Sequence, residues 1–318
     1  MSEGIRPRVA AIDCGTNSIR LLVADVAPDG SLVDVVRRME IVRLGQDIDR
    51  TGVIAPEAMA RTLDATRDYA AQCRELGARR VRFVATSASR DARNADVFVA
   101  GVREAFGDLD VAPEVVPGDA EARFSFSGAT GDVAAHGIPG PYVVVDLGGG
   151  STELVRGTTD VEAARSVDVG SVRMTERHLH ADPPTPEQVE AARADVRAAL
   201  DVVEETVDLT GIGAVVGLAG SITTITAHAL ALPAYDAQAT HLAQLPAHVH
   251  RAACESLLAM GHDERAALPY LHPGRVDVIA GGALVWEAVL DRVLERSPAA
   301  VVVTSEHDIL DGIALSLT

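Results

Sequence analysis

The chain has 318 residues, of which 47% are hydrophobic, and this is enough for two globular domains with apolar cores. The formal net charge of −18 argues against broad electrostatic binding to nucleic acid or to an anionic membrane. All 28 basic residues are arginine, which excludes a P-loop lysine, a Schiff-base lysine and a lysine general base, and favours planar bidentate contacts to phosphate.

The cysteines Cys14, Cys73 and Cys254 lie far apart in the sequence and are odd in number. They provide neither a zinc-binding spacing nor a disulfide framework, so we expect reduced thiols and a cytoplasmic protein. The first ten residues contain no apolar segment and predict no signal peptide. The most apolar stretch, 213–232, is interrupted by Ser, Thr and His and predicts a buried strand and helix.

In chain order, the first half begins with three strands and continues with alternating helices and strands. Residues 86–90 are predicted as a loop, and residues 131–141, rich in Gly and Pro, as a linker. The predicted strands are 8–13, 19–26, 31–44, 80–85 and 111–116, and the predicted helices are 56–76, 95–106 and 117–129.

The second half repeats this order, with predicted strands at 142–146, 152–156, 161–169, 214–218 and 300–303, and predicted helices at 174–180, 186–207, 221–230, 245–260, 277–292 and 308–315. The segments AAIDCGTNSIRLLVAD and VVVDLGGGSTELVRGT match each other, with Asp13 and Asp146 separated by 133 positions. An internal duplication predicts two similar α/β domains whose Asp-bearing hairpins face each other across a ligand-binding cleft. The alternative is a chance resemblance between two Asp-Gly turns.

Each repeat delivers an acid from an apolar strand into a turn that contains glycine. In Tyr142–Leu154, the glycine backbone N–H groups are able to approach an anion closely. A carboxylate beside a bound phosphate requires a cation, for which Mg²⁺ or another divalent ion is the candidate. The alternative is a hairpin turn that binds nothing, with capping roles for the polar residues of the first turn. The candidate contacts are Asp13, Gly15, Thr16, Asn17 and Ser18 in the first turn, and Asp146, Gly148, Gly149, Gly150, Ser151 and Glu153 in the second.

Charged residues beyond the hairpins complete the predicted site. Arg90, with Arg93 close by, follows a strand and is expected at the ligand-binding edge of the sheet. Glu121 lies in the first turn of a helix, where acids are common in any protein, but its place after a strand makes it a candidate general base. Arg20 and Arg173 either face the cleft or are solvated side chains.

The histidines have no clean metal-binding spacing, and most are expected on the surface. His307, which follows the last strand, is the one candidate for a cleft residue. The expected surface histidines are His178, His180, His241, His248, His250 and His262.

Taken together, these motifs resemble the exopolyphosphatase/guanosine pentaphosphate phosphatase (Ppx/GppA) family. The resemblance spans nearly the whole chain, in family order, through AAIDCGTNSIRLLVAD, ATSASRDARN, VVPGDAEARFSFSGA, VVVDLGGGSTELV, DVGSVRMTE, GLAGSITT and RVDVIAGGALV. It implies the α/β fold of the acetate and sugar kinase, heat-shock chaperone and actin superfamily, with duplicated actin-like, ribonuclease-H-like domains and an interdomain cleft. The implied form is the short one, with domains at 1–131 and 132–304 and a last helix, 305–318, that packs back on the first domain.

The resemblance also implies roles for individual residues. Glu121 matches the glutamate that activates the attacking water, and Arg90 matches a phosphate-binding arginine. Leu310 stands where many relatives carry an arginine, which puts any contact of that arginine in doubt here. The remaining matches are Asp146 and Glu153 for Mg²⁺; Asp13, Gly15, Thr16, Asn17 and Ser18 for the first phosphate loop; Gly148, Gly149 and Ser151 for the second; and residues 217–221, with Gly220 and Ser221, for the place where related ATPases hold adenosine.

The expected activity is hydrolysis of the terminal phosphoanhydride of inorganic polyphosphate, one phosphate at a time. The nearest alternative is guanosine pentaphosphate (pppGpp) 5′-phosphohydrolysis, with guanosine penta- or tetraphosphate as substrate or regulator. A superfamily kinase and a non-enzymatic, actin-type nucleotide-binding scaffold are further alternatives. We expect a homodimer that has neither nucleic acid nor membrane as a partner.

Overall fold

The structure, a computed structural model, describes residues 7–318. The chain divides into two compact units. Unit 1 consists of the described residues up to Gly128 together with Ile309–Thr318, and unit 2 consists of Ala129–Asp308. The prediction of no signal peptide rests largely on residues 1–6, which lie outside the described residues.

Each half of the chain begins with three strands, and its later strands are separated by one or more helices. The first half contains β1 (Arg8–Cys14), β2 (Ser18–Val26), β3 (Leu32–Ile41), α1 (Ile48–Thr51), α2 (Pro56–Glu75), β4 (Arg80–Ala85), α3 (Ser87–Asp91), α4 (Ala95–Phe106), β5 (Glu114–Val115) and α5 (Gly118–Ala135). The second half contains β6 (Tyr142–Leu147), β7 (Thr152–Gly157), β8 (Val161–Val167), α6 (Ser171–His178), α7 (Pro186–Glu204), β9 (Ala214–Leu218), α8 (Ala219–Ala229), α9 (Ala237–Thr240), α10 (Ala247–Ala259), α11 (His262–Ala266), α12 (Ile279–Arg296), β10 (Val301–Thr304) and α13 (Ile309–Leu315).

Each unit contains a five-stranded mixed sheet with the same strand order, β3-β2-β1-β4-β5 in unit 1 and β8-β7-β6-β9-β10 in unit 2. The turns between the first two strands of each sheet are closed by the same hydrogen bond. Gly15 N–H donates to Ser18 O at 2.9 Å, and Gly148 N–H donates to Ser151 O at 3.0 Å. Equivalent residues lie 133 positions apart, so the predicted duplication of an α/β unit is confirmed.

Helices cover the sheets and bury their central strands. In unit 1, α2 and α4 pack on one face of the sheet and α13 packs on the other. In unit 2, α7, α10 and α12 share one apolar core with β6. Because both faces of β1 are covered, this strand is a continuous apolar run instead of an alternating one. The same pattern continues in β6 up to its acid.

The apolar stretch 213–232 forms β9 and α8, as predicted. Among the helices formed by residues 7–318, none combines the length and the apolar character needed to cross a bilayer.

Three expectations from the sequence are wrong. The predicted loop 86–90 contains helix α3, which is too short to show an apolar period. The predicted linker begins inside α5, because Phe126, Ala129 and Val133 bury one helical face and outweigh Gly131 as a breaker. His250, expected on the surface, is fully buried, and its Nδ1 accepts a hydrogen bond from Trp286 Nε1 at 3.3 Å.

Candidate active site

The first glycine hairpin, in unit 1, carries an acid that forms an ion pair with an arginine. Strand β1 delivers Asp13 to the turn, where its side chain is 7% exposed. Arg20 is its cross-strand partner and donates to Asp13 Oδ2 from Nε at 3.0 Å and from Nη2 at 2.6 Å. Arg20 is therefore not a solvated strand side chain, and it supplies the positive charge next to Asp13 within the protein itself.

The backbone carbonyls of this first hairpin accept hydrogen bonds from the segment that follows β3. Asn17 O accepts hydrogen bonds from Val42 N–H and Arg43 N–H, and Thr16 O accepts one from Gly45 N–H at 2.8 Å. A Cβ on Gly45 would lie 2.3 Å from Thr16 Cγ2, so only glycine allows this approach. The Thr16 hydroxyl is buried, and within residues 7–318 no hydrogen-bond partner reaches it. An anion bound at this turn would supply the acceptor that this hydroxyl needs.

The second glycine hairpin, in unit 2, carries two acids side by side. Asp146 and Glu153 are directly opposite each other on β6 and β7, so their side chains share one face of the sheet. The two residues are 5% and 1% exposed. Ser166, the next cross-strand neighbour on β8, donates its hydroxyl to Glu153 Oε1 at 2.6 Å and orients that carboxylate.

The duplication shows a difference between its two copies at this point. Arg20 and Glu153 occupy equivalent positions, each seven residues after the acid of its repeat. In unit 1, the hairpin acid faces an arginine across the strands, whereas in unit 2 it faces a second carboxylate. A pair of buried carboxylate oxygens at a glycine turn is the donor set that Mg²⁺ prefers. The residues present therefore fit a divalent cation in unit 2.

The glycine loop of unit 2 is braced by the start of α6. Gly148 O accepts from Ser171 N–H at 3.0 Å, and Gly149 O accepts from Val172 N–H at 2.9 Å. Arg173 Nε donates to Gly150 O at 2.7 Å, which brings its guanidinium to the loop. In the part of the chain that the structure describes, the N–H groups of Gly149 and Gly150 donate no hydrogen bond. Because their carbonyls are bonded to the start of α6, these N–H groups remain available as donors to an anion.

The candidate base and the candidate phosphate-binding arginine form an ion pair in unit 1. Arg90 Nη1 donates to Glu121 Oε2 at 2.7 Å and also to Val116 O at 2.9 Å. The side chains of Arg90 and Glu121 are 22% and 10% exposed. Thr86 N–H donates to Cys14 O at 3.1 Å, so the segment that leads into α3 is joined to the first hairpin. Packing therefore brings the first hairpin, Arg90 and Glu121 into one region of unit 1.

Arg93 points to a different neighbour. Its Nη2 donates to Thr51 O at 2.9 Å, and its guanidinium lies against Gly52. Gly52 has a φ of +66°, and an added Cβ would lie 2.4 Å from Arg93 Nη1. Arg93 therefore holds the end of α1, apart from the Arg90–Glu121 pair.

Gly220 and Ser221 begin helix α8 directly after strand β9. The end of β9 is beside Asp146, because Asp146 and Leu218 are parallel partners. Ser221 packs against Gly282, where an added Cβ would lie 2.7 Å from Ser221 Oγ. The guanidinium of Arg275 lies over Gly220, where an added Cβ would lie 2.0 Å from its Nη2. These residues therefore lie at the same sheet edge as the unit 2 acids.

The cysteine nearest the first hairpin is not a candidate nucleophile. Burial raises the pKa of the Cys14 thiol well above its ordinary value, and the neighbouring Asp13 carboxylate raises it further. Leu310 lies in α13 and is buried in the core between this helix and the sheet of unit 1, and the adjacent Asp311 accepts a hydrogen bond from Arg37 Nη2 at 2.5 Å. The position at which many relatives carry an arginine is therefore an apolar core position in this protein.

Some residues of the site were missed or left open from the sequence. Arg173 remained undecided, although its position three residues after Gly170 in DVGSVRMTE suggested a loop contact. Ser166 was missed, although pairing β7 with β8 in register would have put it opposite Glu153. The buried hydroxyl of Ser89 in α3, which has no hydrogen-bond partner among the described residues, carried no sequence signal.

Sequence comparison assigns the chain that carries these hairpins, paired acids and the Arg90–Glu121 pair to a class of phosphatases. The chain belongs to the Ppx/GppA phosphatase family, which it matches over residues 22–317. It is 51% identical to exopolyphosphatase 2 of Mycobacterium tuberculosis, an alignment that covers 98% of both proteins.

One solved structure and one more distant sequence relative are also similar to the chain. The crystal structure of an exopolyphosphatase-like protein matches with a TM-score of 0.93 and 44% identity over 98% of both chains. A guanosine-5′-triphosphate,3′-diphosphate pyrophosphatase of Photobacterium profundum is 32% identical over 69% of this chain and 43% of its own length.

Proposed function

We propose that this protein is an exopolyphosphatase that releases terminal orthophosphate from inorganic polyphosphate. The observation that carries the proposal is the largely buried Arg90–Glu121 pair, with 2.7 Å between Arg90 Nη1 and Glu121 Oε2. It offers a fixed carboxylate for water and an arginine for phosphate oxygens in one place. The identity over 98% of both chains with a protein named exopolyphosphatase 2 supports polyphosphate as the substrate.

In the proposed mechanism, Glu121 accepts a proton from a water molecule whose oxygen attacks the terminal phosphorus. The bond from this phosphorus to the bridging oxygen breaks, and the bridging oxygen leaves on the shortened polymer. Arg90 and the N–H groups of the glycine loops stabilise the negative charge on the phosphate oxygens in the transition state. The Arg90 hydrogen bond keeps the carboxylate of Glu121 oriented for this step.

We propose that Asp146 and Glu153 hold a divalent cation, with Mg²⁺ as the first candidate. Mg²⁺ bound there would supply charge neutralisation at phosphate oxygens. The buried, same-face arrangement of the two carboxylates supports this assignment, and Ser166 orients one of them. Arg173, next to the loop, adds a protein cation on the same unit.

Hydrolysis of polyphosphate tests the proposal directly. We expect the purified protein with MgCl₂ to release orthophosphate from polyphosphate with a higher kcat/KM than from pppGpp, and each substrate should inhibit hydrolysis of the other. A set of polymers of different length, at equal concentration of chain ends, measures the preferred chain length. Absence of phosphate release from every polymer would overturn the proposal.

The second candidate is pppGpp 5′-phosphohydrolase. It is favoured by the 32% identity with a protein named guanosine-5′-triphosphate,3′-diphosphate pyrophosphatase. The chain covers only 43% of that protein, whereas it covers 98% of exopolyphosphatase 2, so polyphosphate is the preferred candidate substrate. A higher kcat/KM for pppGpp in the competition assay would reverse this order.

We further propose that the two compact units are the two predicted domains and that both serve one reaction. If they do, kcat for a double E121Q/D146N variant falls by less than the product of the single effects. The expected interdomain cleft and the domain bounds 1–131 and 132–304 stay predictions. We also propose a cytoplasmic location, which the buried free thiols of Cys14, Cys73 and Cys254 support. The proposed homodimer is tested by light scattering of the purified protein.

A further inference from the structure

Two imidazoles and a carboxylate converge in unit 2, away from the acids of the glycine hairpin in sequence. Asp132 Oδ2 lies 2.5 Å from His307 Nδ1 and 3.7 Å from His241 Nε2. The rings of His241 and His307 lie 4.7 Å apart, centroid to centroid, at 45°. One potential ligand atom from each of the three residues falls within 4.8 Å of the other two, which is the range from which a single metal ion could be bound.

Three separate elements hold these side chains in place. Asp132 lies in the last turns of helix α5. Leu242 N–H donates to Thr304 O at 2.7 Å and Thr304 N–H donates to Ala243 O at 3.0 Å, so the segment after His241 runs antiparallel to β10. Ser305 Oγ donates to His307 O at 2.8 Å and accepts from His307 N–H, which closes a tight turn. The three residues are therefore preorganised by backbone structure.

We propose that Asp132, His241 and His307 form a binding site for a divalent transition-metal ion of the Zn²⁺ class. Two imidazole nitrogens and one carboxylate oxygen are a common Zn²⁺ ligand set, with a fourth position open to water. Mg²⁺ prefers oxygen ligands, so the same ion is not expected to fill both this cluster and the Asp146–Glu153 pair. The side chains of His307 and Asp132 are 41% and 39% exposed, which lets an ion enter from solvent.

Binding requires a change of tautomer at both histidines. His241 Nδ1 accepts a hydrogen bond from Glu306 N–H at 3.2 Å, so the neutral ring carries its proton on Nε2. When Nε2 binds the metal, this proton moves to Nδ1 and the long hydrogen bond from Glu306 is lost. At His307, the metal takes the place of the proton on Nδ1 that faces the Asp132 carboxylate, and in the neutral ring this proton moves to Nε2.

The cluster also occupies a particular place in the chain. Unit 2 begins at Ala129 and ends at Asp308, so Asp132 and His307 lie near its two chain ends. A metal ion bound by both residues would tie the entering segment of unit 2 to its leaving segment. We therefore expect metal binding to raise the thermal stability of the protein.

Calorimetric titration of the full chain with ZnCl₂, in buffer containing excess MgCl₂, tests the site. We expect about one Zn²⁺ per chain, a Zn²⁺-dependent rise in Tm, and a Co²⁺ derivative with the strong visible absorption of a low-coordinate site. His307→Ala, His241→Ala and Asp132→Asn should each weaken Zn²⁺ binding by at least about 100-fold, since loss of even an outer-shell partner costs up to that much.

His180→Ala is the matched control, because His180 is an exposed histidine of the same unit. It should bind Zn²⁺ like the wild type. His307→Gln, which keeps a polar partner for Asp132, guards against loss of folding, and the far-ultraviolet circular dichroism of every variant should be unchanged. Equal binding by the wild type and by folded cluster variants, or absence of stoichiometric binding by the wild type, would overturn the proposal. Neither readout depends on phosphate release.

Discussion

Replacing Glu121 with glutamine separates its chemical role from its structural role. The amide oxygen of the substituted side chain would still accept the hydrogen bond that Arg90 Nη1 donates to Glu121 Oε2 at 2.7 Å. Only the negative charge and the ability to accept a proton are lost. We therefore expect E121Q to fold and to bind polyphosphate, but to be nearly inactive.

The structure sets the expected magnitudes. Arg90 keeps a hydrogen bond to the amide oxygen but loses the opposite charge beside it, so the free energy of unfolding should fall by about 1–2 kcal/mol. Loss of a positioned general base should lower kcat by about 10²–10⁴, equivalent to about 3–5 kcal/mol in the activation barrier. The catalytic loss thus exceeds what weaker pairing explains.

The assay measures orthophosphate release from polyphosphate across a range of pH, together with urea unfolding. The acid limb of the pH–rate profile should disappear in E121Q. Glu114→Gln is the matched control, because Glu114 is an exposed glutamate of unit 1 that accepts two hydrogen bonds from Arg82, at 2.9 and 2.8 Å. It should leave kcat unchanged.

A shorter side chain gives an independent check. Glu121→Asp keeps the charge but withdraws the carboxylate by about 1 Å, and a displacement of this size is able to cost about 100-fold in rate. Wild-type turnover in folded E121Q would refute the assignment of Glu121 as the base. A loss of activity that tracks unfolding, with the acid limb intact, would refute it as well.

Three further predictions concern the metal, the first hairpin and acid stability. MgCl₂ should raise the Tm of the wild type, because each tenfold excess of Mg²⁺ over its Kd adds about 1.4 kcal/mol to the free energy of unfolding. Glu153→Gln should abolish this Tm shift, and an undiminished shift would exclude Glu153 as a ligand. Arg20→Met removes the guanidinium that pairs with the largely buried Asp13 and should cost about 3 kcal/mol in urea unfolding; a loss no larger than that of the exposed Arg67→Met would contradict this. Burial lowers the pKa of His250 from 6.5 to about 4, so the unfolded chain takes up the proton first as the pH falls. The free energy of unfolding should therefore drop by about 3 kcal/mol between pH 6.5 and pH 4, and His250→Gln, which keeps a hydrogen-bond acceptor, should remove this contribution; an unchanged pH dependence in that variant would be evidence against it.

The two copies of the hairpin differ in the charge of the residue that lies opposite the acid. Arg20 supplies the positive charge beside Asp13 from the chain, whereas Glu153 adds a second carboxylate beside Asp146. The first copy thus offers backbone and hydroxyl groups to phosphate, and the second offers both loop N–H groups and a pair of acids suited to a cation. The two copies keep the backbone geometry of the turn, as the Gly15–Ser18 and Gly148–Ser151 hydrogen bonds show.

Much of this protein follows from local sequence. The repeat of an apolar strand, an acid and a glycine turn predicted both hairpins, because strand pairing across a short turn is a local event. The fold class followed from the duplication and from the order of strands and helices. Arg90 and Glu121 could each be proposed as a site residue because both come a few residues after strands that end at one sheet edge.

Tertiary packing decided the contacts that have no local signal. The sequence suggested surface positions for His241 and His250, yet one joins Asp132 and His307, and the other is buried beside Trp286. Such contacts depend on how distant elements pack, and the periodicity of one segment carries no information about its neighbours. The sequence by itself therefore determined the repeated glycine hairpins and their acids. The packed structure decided that Arg20 pairs with Asp13 and that Glu153 lies opposite Asp146, and it brought together a cluster whose first and last residues lie more than a hundred positions apart.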